Sequence, residues 1–147
     1  MSFKKNSVFL LLAFLSLSFS VNAQSIFGRW KTIDDKTGKP KAIVHIYRQQ
    51  GKMFGKIEKV LEKNRQNAVC KKCEGDKKDQ PIVGLEIMAG LVKNGEGEWK
   101  GKNLLDPESG TTYRCKIWLN PKDPNELMVR GYIAFLYRTQ TWIRAKE

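Results

Sequence analysis

Between residues 112 and 119 an apolar side chain recurs at every second position. Tyr113, Cys115, Ile117 and Leu119 fall on one side, and Thr112, Arg114, Lys116 and Trp118 on the other. A period of two belongs to a β-strand with one buried face, because successive side chains project to opposite sides of a sheet. The same pattern continues over 126–137, where Leu127, Val129, Gly131, Ile133 and Phe135 share a face opposite Met128, Arg130, Tyr132 and Ala134. A last segment, 139–144, puts Trp142 with Gln140 and Arg144. Earlier strands are predicted at 28–33, 42–48, 52–58, 85–92 and 98–105.

Turn chemistry separates these segments. The turns are Asp34-Asp35-Lys36-Thr37-Gly38, Gln49-Gln50-Gly51, Lys93-Asn94-Gly95-Glu96-Gly97, Asp106-Pro107-Glu108-Ser109-Gly110 and Asn120-Pro121-Lys122-Asp123-Pro124-Asn125. In the fourth, Asp106 is placed to accept backbone hydrogen bonds from the residues that follow, and Pro107 presets the next φ. About eight strands joined mostly by hairpins predict an all-β fold. A single antiparallel up-and-down barrel satisfies every strand edge. Two stretches resist this reading. Ile57, Val60 and Leu61 have helical spacing, which allows a helical turn within 56–68. The segment 62–80 is a long, lysine-rich connection with two cysteines, and long ordered loops tend to be functional or mobile.

The amino terminus carries an address. Lys4 and Lys5 precede an apolar run from Val8 to Phe19, and Val21-Asn22-Ala23 supplies a small-x-small ending. That order predicts a cleaved secretory signal over 1–23, leaving 24–147 as one barrel domain. The run is short of the roughly 20 residues a membrane span needs, so the cleaved product is expected not to span a membrane. Export to the periplasm, or otherwise secretion, follows. The chain is basic, with a net charge of +12, and Lys4 and Lys5 account for two of those charges. Basicity suits an anionic envelope component such as lipopolysaccharide, anionic lipid or polysaccharide, or a solvated lysine-rich exterior. Nucleic acid is not an expected partner in that compartment.

Compartment also governs the cysteines. Cys70 and Cys73, three apart in a loop outside the cytoplasm, are expected to form a disulfide. A redox role would draw on Lys71 and Lys72 to favour a thiolate. The βαβ setting of thioredoxin-like pairs is missing from the pattern. By residue type Cys70, Cys73, Cys115 and His45 make up a zinc set. However, Cys115 reads as a small buried hydrophobe and His45 as a structural residue of the apolar strand Ile43-Val44-His45-Ile46. No metal and no cofactor is assigned. Catalysis finds little support either. Past the signal the serines are Ser25 and Ser109, a Cys115–His45 pair conflicts with burial of Cys115, and the acidic pairs Asp34-Asp35, Glu74-Asp76 and Asp106-Glu108 lie in turns. The protein is therefore expected not to be an enzyme.

Aromatic residues carry the binding hypothesis. A small barrel either fills with side chains or holds one small ligand. Gly55, Gly101 and Gly131 lie on interior-type faces and would leave room, or would mark bends. Tyr113, Trp99, Ile133 and Phe135 are the candidate ligand-lining residues.

Several short motifs in order resemble a known family. They are Gly28-Arg29-Trp30, Cys70-Lys71-Lys72-Cys73, Trp99-Lys100-Gly101, Asp106-Pro107-Glu108-Ser109-Gly110 with Tyr113-Arg114-Cys115, Val129-Arg130-Gly131-Tyr132 and Thr141-Trp142-Ile143-Arg144. Together they are similar to the exported bacterial family called domain of unknown function 2147. That resemblance implies a lipocalin-like (calycin-type) barrel and no assigned activity. Lipocalins also open with Gly-x-Trp and cover the indole with an arginine of the last strand. The likeness implies that Trp30 and Arg144 close the barrel. The expected function is binding of a small apolar or anionic amphipathic ligand, with basic residues at the barrel mouth. The alternative is an envelope structural or interaction protein using its basic surface and the disulfide-stapled 62–80 loop.

Overall fold

Period-two alternation and polar turns produce the predicted meander. The computed structural model describes residues 24–146, so the signal segment 1–23 lies outside the described residues. Eight strands follow one another: β1 (Gly28–Ile33), β2 (Pro40–Gln49), β3 (Lys52–Val60), β4 (Glu86–Lys93), β5 (Glu98–Asp106), β6 (Thr111–Asn120), β7 (Asp123–Ile133) and β8 (Leu136–Arg144). Each pairs antiparallel with the next, and β8 returns to β1 through Trp30 opposite Arg144 and Lys31 opposite Ile143, closing the barrel. Closure leaves no free sheet edge. The only described helix is a 3-10 turn, Gly75–Lys77, in the long connection between β3 and β4.

The interior follows the alternation. Val44 and Ile46 of β2, Met53 and Ile57 of β3, Cys115 and Ile117 of β6 and Leu127 and Val129 of β7 are all buried. The helical spacing at Ile57 and Val60 has a different cause from the one expected. Ile57 pairs with Val44 and Lys59 with Ile43, so Glu58 is an extra residue at a β-bulge. A bulge shifts the phase of a strand, and positions three apart then share a face. Both side chains point into the barrel core without any helix.

The segment 126–137 is not one strand. The chain reverses at Ala134-Phe135, with Ile133 paired to Leu136 and Tyr132 to Tyr137. Ala134 takes the left-handed φ of 50° that the turn requires, a place usually given to Gly, Asn or Asp. No turn residue marks the reversal, which is why alternation alone runs through it. Phe135 therefore leaves the interior face and sits at the hairpin tip.

Candidate functional site

The two ends of the barrel differ. One end holds the β2–β3 and β6–β7 turns and is plugged. Trp30 is fully buried, and its indole N–H donates to the carbonyl of Ile26 at 2.9 Å. The Arg144 guanidinium lies over that indole, 4.2 Å from its centroid. From there Nη2 donates to the carbonyls of Ser25 (2.9 Å) and Pro124 (3.0 Å), tying the entry to β1 and the start of β7 to the end of β8. Burial pushes the guanidinium pKa below its ordinary value. Nearby, Phe27 packs edge-on against Trp99 at 5.5 Å, with Arg48 on the same indole. Interior glycines at this end do not create space. A Cβ at Gly101 would sit 2.9 Å from Leu91 Cγ, and one at Gly55 would sit 3.1 Å from Met88 Sδ. Leu91 and Met88 occupy the room those glycines leave.

The other end is hollow. A cavity of about 780 Å³ runs in from the mouth, within the range typical of small-molecule sites. Its inner lining is apolar, with Val44, Ile57, Ile87, Leu105, Val129 and Trp142, and its outer lining is polar and charged. Gly131 faces into it, and a Cβ there would meet only Tyr113, at 3.6 Å. Around the mouth the charges are mixed and paired. Lys41 binds Glu108 and lies 3.8 Å from Asp34. Arg65 approaches Glu108 at 3.9 Å, and Arg138 pairs with Asp35. A polar chain leads inward from the rim: Gln140 donates to Asp35 at 3.0 Å and accepts from the Trp142 indole N–H at 3.1 Å. Asp34 shapes its turn by accepting from the backbone N–H groups of Thr37 (2.7 Å) and Lys36 (2.9 Å). The Thr37 N–H, above all, holds its carboxyl below the usual value.

The long connection supplies part of the cavity wall. Cys70 and Cys73 form a disulfide with their Cα atoms 5.4 Å apart, and both are buried. The strap folds back on itself through Cys70 N–H to Gln80 O (2.8 Å) and Ile82 N–H to Ala68 O (2.9 Å). That pairing sets Ala68 and Ile82 against the cavity. The disulfide loop rests on the turn between β5 and β6. Cys70 Sγ is 3.5 Å from the Pro107 carbonyl oxygen. Gly110, with φ of 73°, allows a contact so close that a Cβ there would lie 1.9 Å from the Lys72 carbonyl oxygen. Asp106 organises that turn through the Glu108 N–H (3.0 Å) and the Ser109 hydroxyl (2.8 Å), as the Asp-Pro start suggests.

Of the four lining residues expected from sequence, Tyr113 and Ile133 line the cavity, Ile133 at the mouth. Trp99 does not, because it is buried in the plug at the opposite end. Phe135 does not, because the reversal at Ala134 carries it out to solvent. The expected basic mouth is instead a ring of both signs. Gln140 and Asp35 were absent from the expectation, although Gln140 shares Trp142's face in the sequence. Cys115 and His45 are not brought together. Cys115 lies inside β6, and burial pushes its thiol up to about 12, so it stays protonated. His45 projects outward between the buried Val44 and Ile46, its ring 5.5 Å from Tyr47. Among the described residues no group of three or more histidine, cysteine or acidic side chains is arranged to hold a metal, and no helix is long and apolar enough to cross a membrane.

A closed, up-and-down, eight-stranded barrel, plugged by Trp30 under Arg144 and hollow at the other end, defines a lipocalin-like fold. The chain belongs to the family described as an uncharacterized protein conserved in bacteria (DUF2147), whose model matches residues 28–144. Among solved structures it is similar to protein HP1028 from the human pathogen Helicobacter pylori, described as belonging to the lipocalin family. The two are 18% identical, the match covers 84% of each chain, and the TM-score is 0.70, a likeness of fold. Comparison with curated proteins gives no match.

Proposed function

We propose that this is an exported, periplasmic binding protein that holds one small apolar or amphipathic molecule inside its barrel. The observation that carries the reading is the cavity of about 780 Å³, with apolar walls, a plugged floor and a charged mouth. Burial of an acyl or aromatic portion against Val129, Ile87 and Trp142 supplies affinity, at about 0.8 kcal/mol for each methylene removed from water. The head group stays at the rim, where Lys41, Arg65 and Arg138 on one side and Asp35 and Glu108 on the other exchange partners with it. No catalytic role and no cofactor is part of this reading. The disulfide connection acts as cavity wall.

Native mass spectrometry of protein taken from its own envelope tests the proposal, followed by delipidation and titration with a fluorescent apolar dye. One added mass per chain is expected. Dye displacement by a fatty-acid series should strengthen by about fourfold per added methylene until the cavity is full. Recovery of unliganded protein only, together with no dye uptake, refutes it.

A further inference from the structure

The β7–β8 hairpin breaks the rule that every other short turn of this barrel obeys. The remaining tips are built from Asp, Glu, Asn, Gln, Lys, Thr, Ser, Pro and Gly, whereas this one reads Ile133-Ala134-Phe135-Leu136-Tyr137. Ile133 is 57% exposed, Phe135 90%, Leu136 63% and Tyr137 63%, and these are four of the six large apolar side chains strongly exposed among the described residues. A run of consecutive apolar residues on the surface is a liability unless something covers it. Ala134 meanwhile occupies a left-handed turn position where Gly or Asn would relieve the backbone and be more soluble.

Behind the tip stands a second layer. Arg130 stacks between Trp118 (5.0 Å) and Tyr137 (4.3 Å) and donates from Nε to the Thr139 hydroxyl at 2.7 Å. Arg114 lies over Tyr132 at 5.9 Å and donates to the Ala134 carbonyl at 3.0 Å. No acidic residue occurs from Leu127 to Arg144. Aliphatic and phenyl groups outermost, then tyrosine and tryptophan rings, then guanidinium groups, is the order of a membrane interface. Arg138 is answered by Asp35 of the β1–β2 turn, whereas Arg114 and Arg130 lie against rings, a carbonyl and a hydroxyl. A second copy would bring the same two guanidinium groups against these, so charge complementarity selects an anionic surface.

We propose that the Ile133–Tyr137 tip docks the barrel onto an anionic lipid bilayer. Phe135 and Leu136 enter the acyl boundary, and Arg114 and Arg130 meet the lipid phosphates. Ile133, Leu136 and Tyr137 also border the cavity mouth, so the docked protein turns that mouth toward the lipid. Transfer of a ligand between bilayer and cavity then avoids water, a consequence that rests on the proposed ligand binding.

The test is flotation of the mature protein with vesicles of phosphatidylcholine alone or mixed with phosphatidylglycerol. Wild type is expected to float with the anionic vesicles and to release as salt rises. Phe135 is 90% exposed, so F135S and F135D should fold normally and take up dye as wild type does. F135S should lose about tenfold in partitioning, and F135D more. In F135W, the indole emission should shift to the blue on anionic vesicles and be quenched by brominated acyl chains. Absence of wild-type binding to anionic vesicles, equal binding by F135D, or an unshifted F135W spectrum overturns the proposal. So does a concentration-dependent dimer that F135D abolishes, which would give the tip to a second copy. A protein that docks but takes up no dye keeps the docking and refutes only the cavity reading.

Discussion

Replacing Arg144 tests the plugged end of the barrel quantitatively. In Arg144→Ala three interactions disappear together: the guanidinium over Trp30 at 4.2 Å and the two hydrogen bonds to the Ser25 and Pro124 carbonyls. A cation over an indole contributes about 0.5–2 kcal/mol, depending on how dry the site is. The site is half-buried, which places this contact near the middle of that range. Each hydrogen bond adds about 1 kcal/mol net, because the released carbonyls are near enough to the surface to find water. The expected loss is therefore about 3 kcal/mol, a large part of the stability of a domain this size. For a chain of this length that corresponds to a melting temperature lower by about 10 °C. Urea unfolding followed by far-UV circular dichroism and by tryptophan fluorescence reads it directly. The midpoint should fall while the slope holds, since the native surface area barely changes. Arg144→Lys should recover less than half, because an ammonium has no planar face to stack while bridging two carbonyls. A loss below about 0.5 kcal/mol, or full rescue by lysine, would refute the account of barrel closure.

Gly131→Phe should leave the circular dichroism spectrum unchanged and weaken dye binding at least about tenfold, because a side chain there meets only Tyr113 and grows into empty space. Gly110→Ala should cost about 2 kcal/mol or more. Its φ of 73° is strained for alanine, and the new methyl meets the Lys72 carbonyl, so loosening of the disulfide loop should show as faster proteolysis between Glu62 and Gln80. Cys115, with its thiol pushed up to about 12, should resist a thiol reagent at pH 8 in the folded protein and react at once in denaturant. The sign of its pH effect follows from the raised native value. Its contribution is intact below the unfolded thiol's range near 9.0 and fades as pH climbs above it, so the stability gap between wild type and Cys115→Ala should narrow in alkali.

Strand order and closure were legible because they depend on local signals, the period of two and the polar turns. β1 matches its predicted bounds, and β6 differs from its own by a residue at either end. The Trp30–Arg144 plug was legible by likeness to lipocalins, and the Cys70–Cys73 bridge by spacing and compartment. What escaped the sequence depends on register. Whether a glycine opens a cavity is decided by what lies across from it: Met88 fills the place of Gly55 and Leu91 that of Gly101, while Gly131 has only Tyr113 nearby. Trp99 was misplaced for the same reason, since alternation gives the face of a strand and not the end of the barrel. The pairing of Arg138 with Asp35 crosses from β8 to the loop after β1, a contact that no local pattern encodes.

The mouth and the hairpin tip divide two tasks that the sequence expectation had merged. Basic residues were expected at the mouth to draw in an acidic head group, yet there they are answered by Asp34, Asp35 and Glu108. A mouth neutralised in this way gives little long-range pull on an anion, because opposite charges a few ångströms apart cancel beyond a Debye length. It does offer donors and acceptors that rearrange around a polar head group once an apolar tail is inside. Outside the mouth, Arg114 and Arg130 on the outer faces of β6 and β7 carry positive charge that is set against aromatic rings rather than carboxylates. Long-range attraction to an anionic surface therefore acts on the outside of the hairpin, and selection of the bound molecule falls to the shape and dryness of the cavity. On this division, raising salt should weaken docking to vesicles and leave dye affinity in solution nearly constant. A parallel loss of both would mean that a single electrostatic contact governs them.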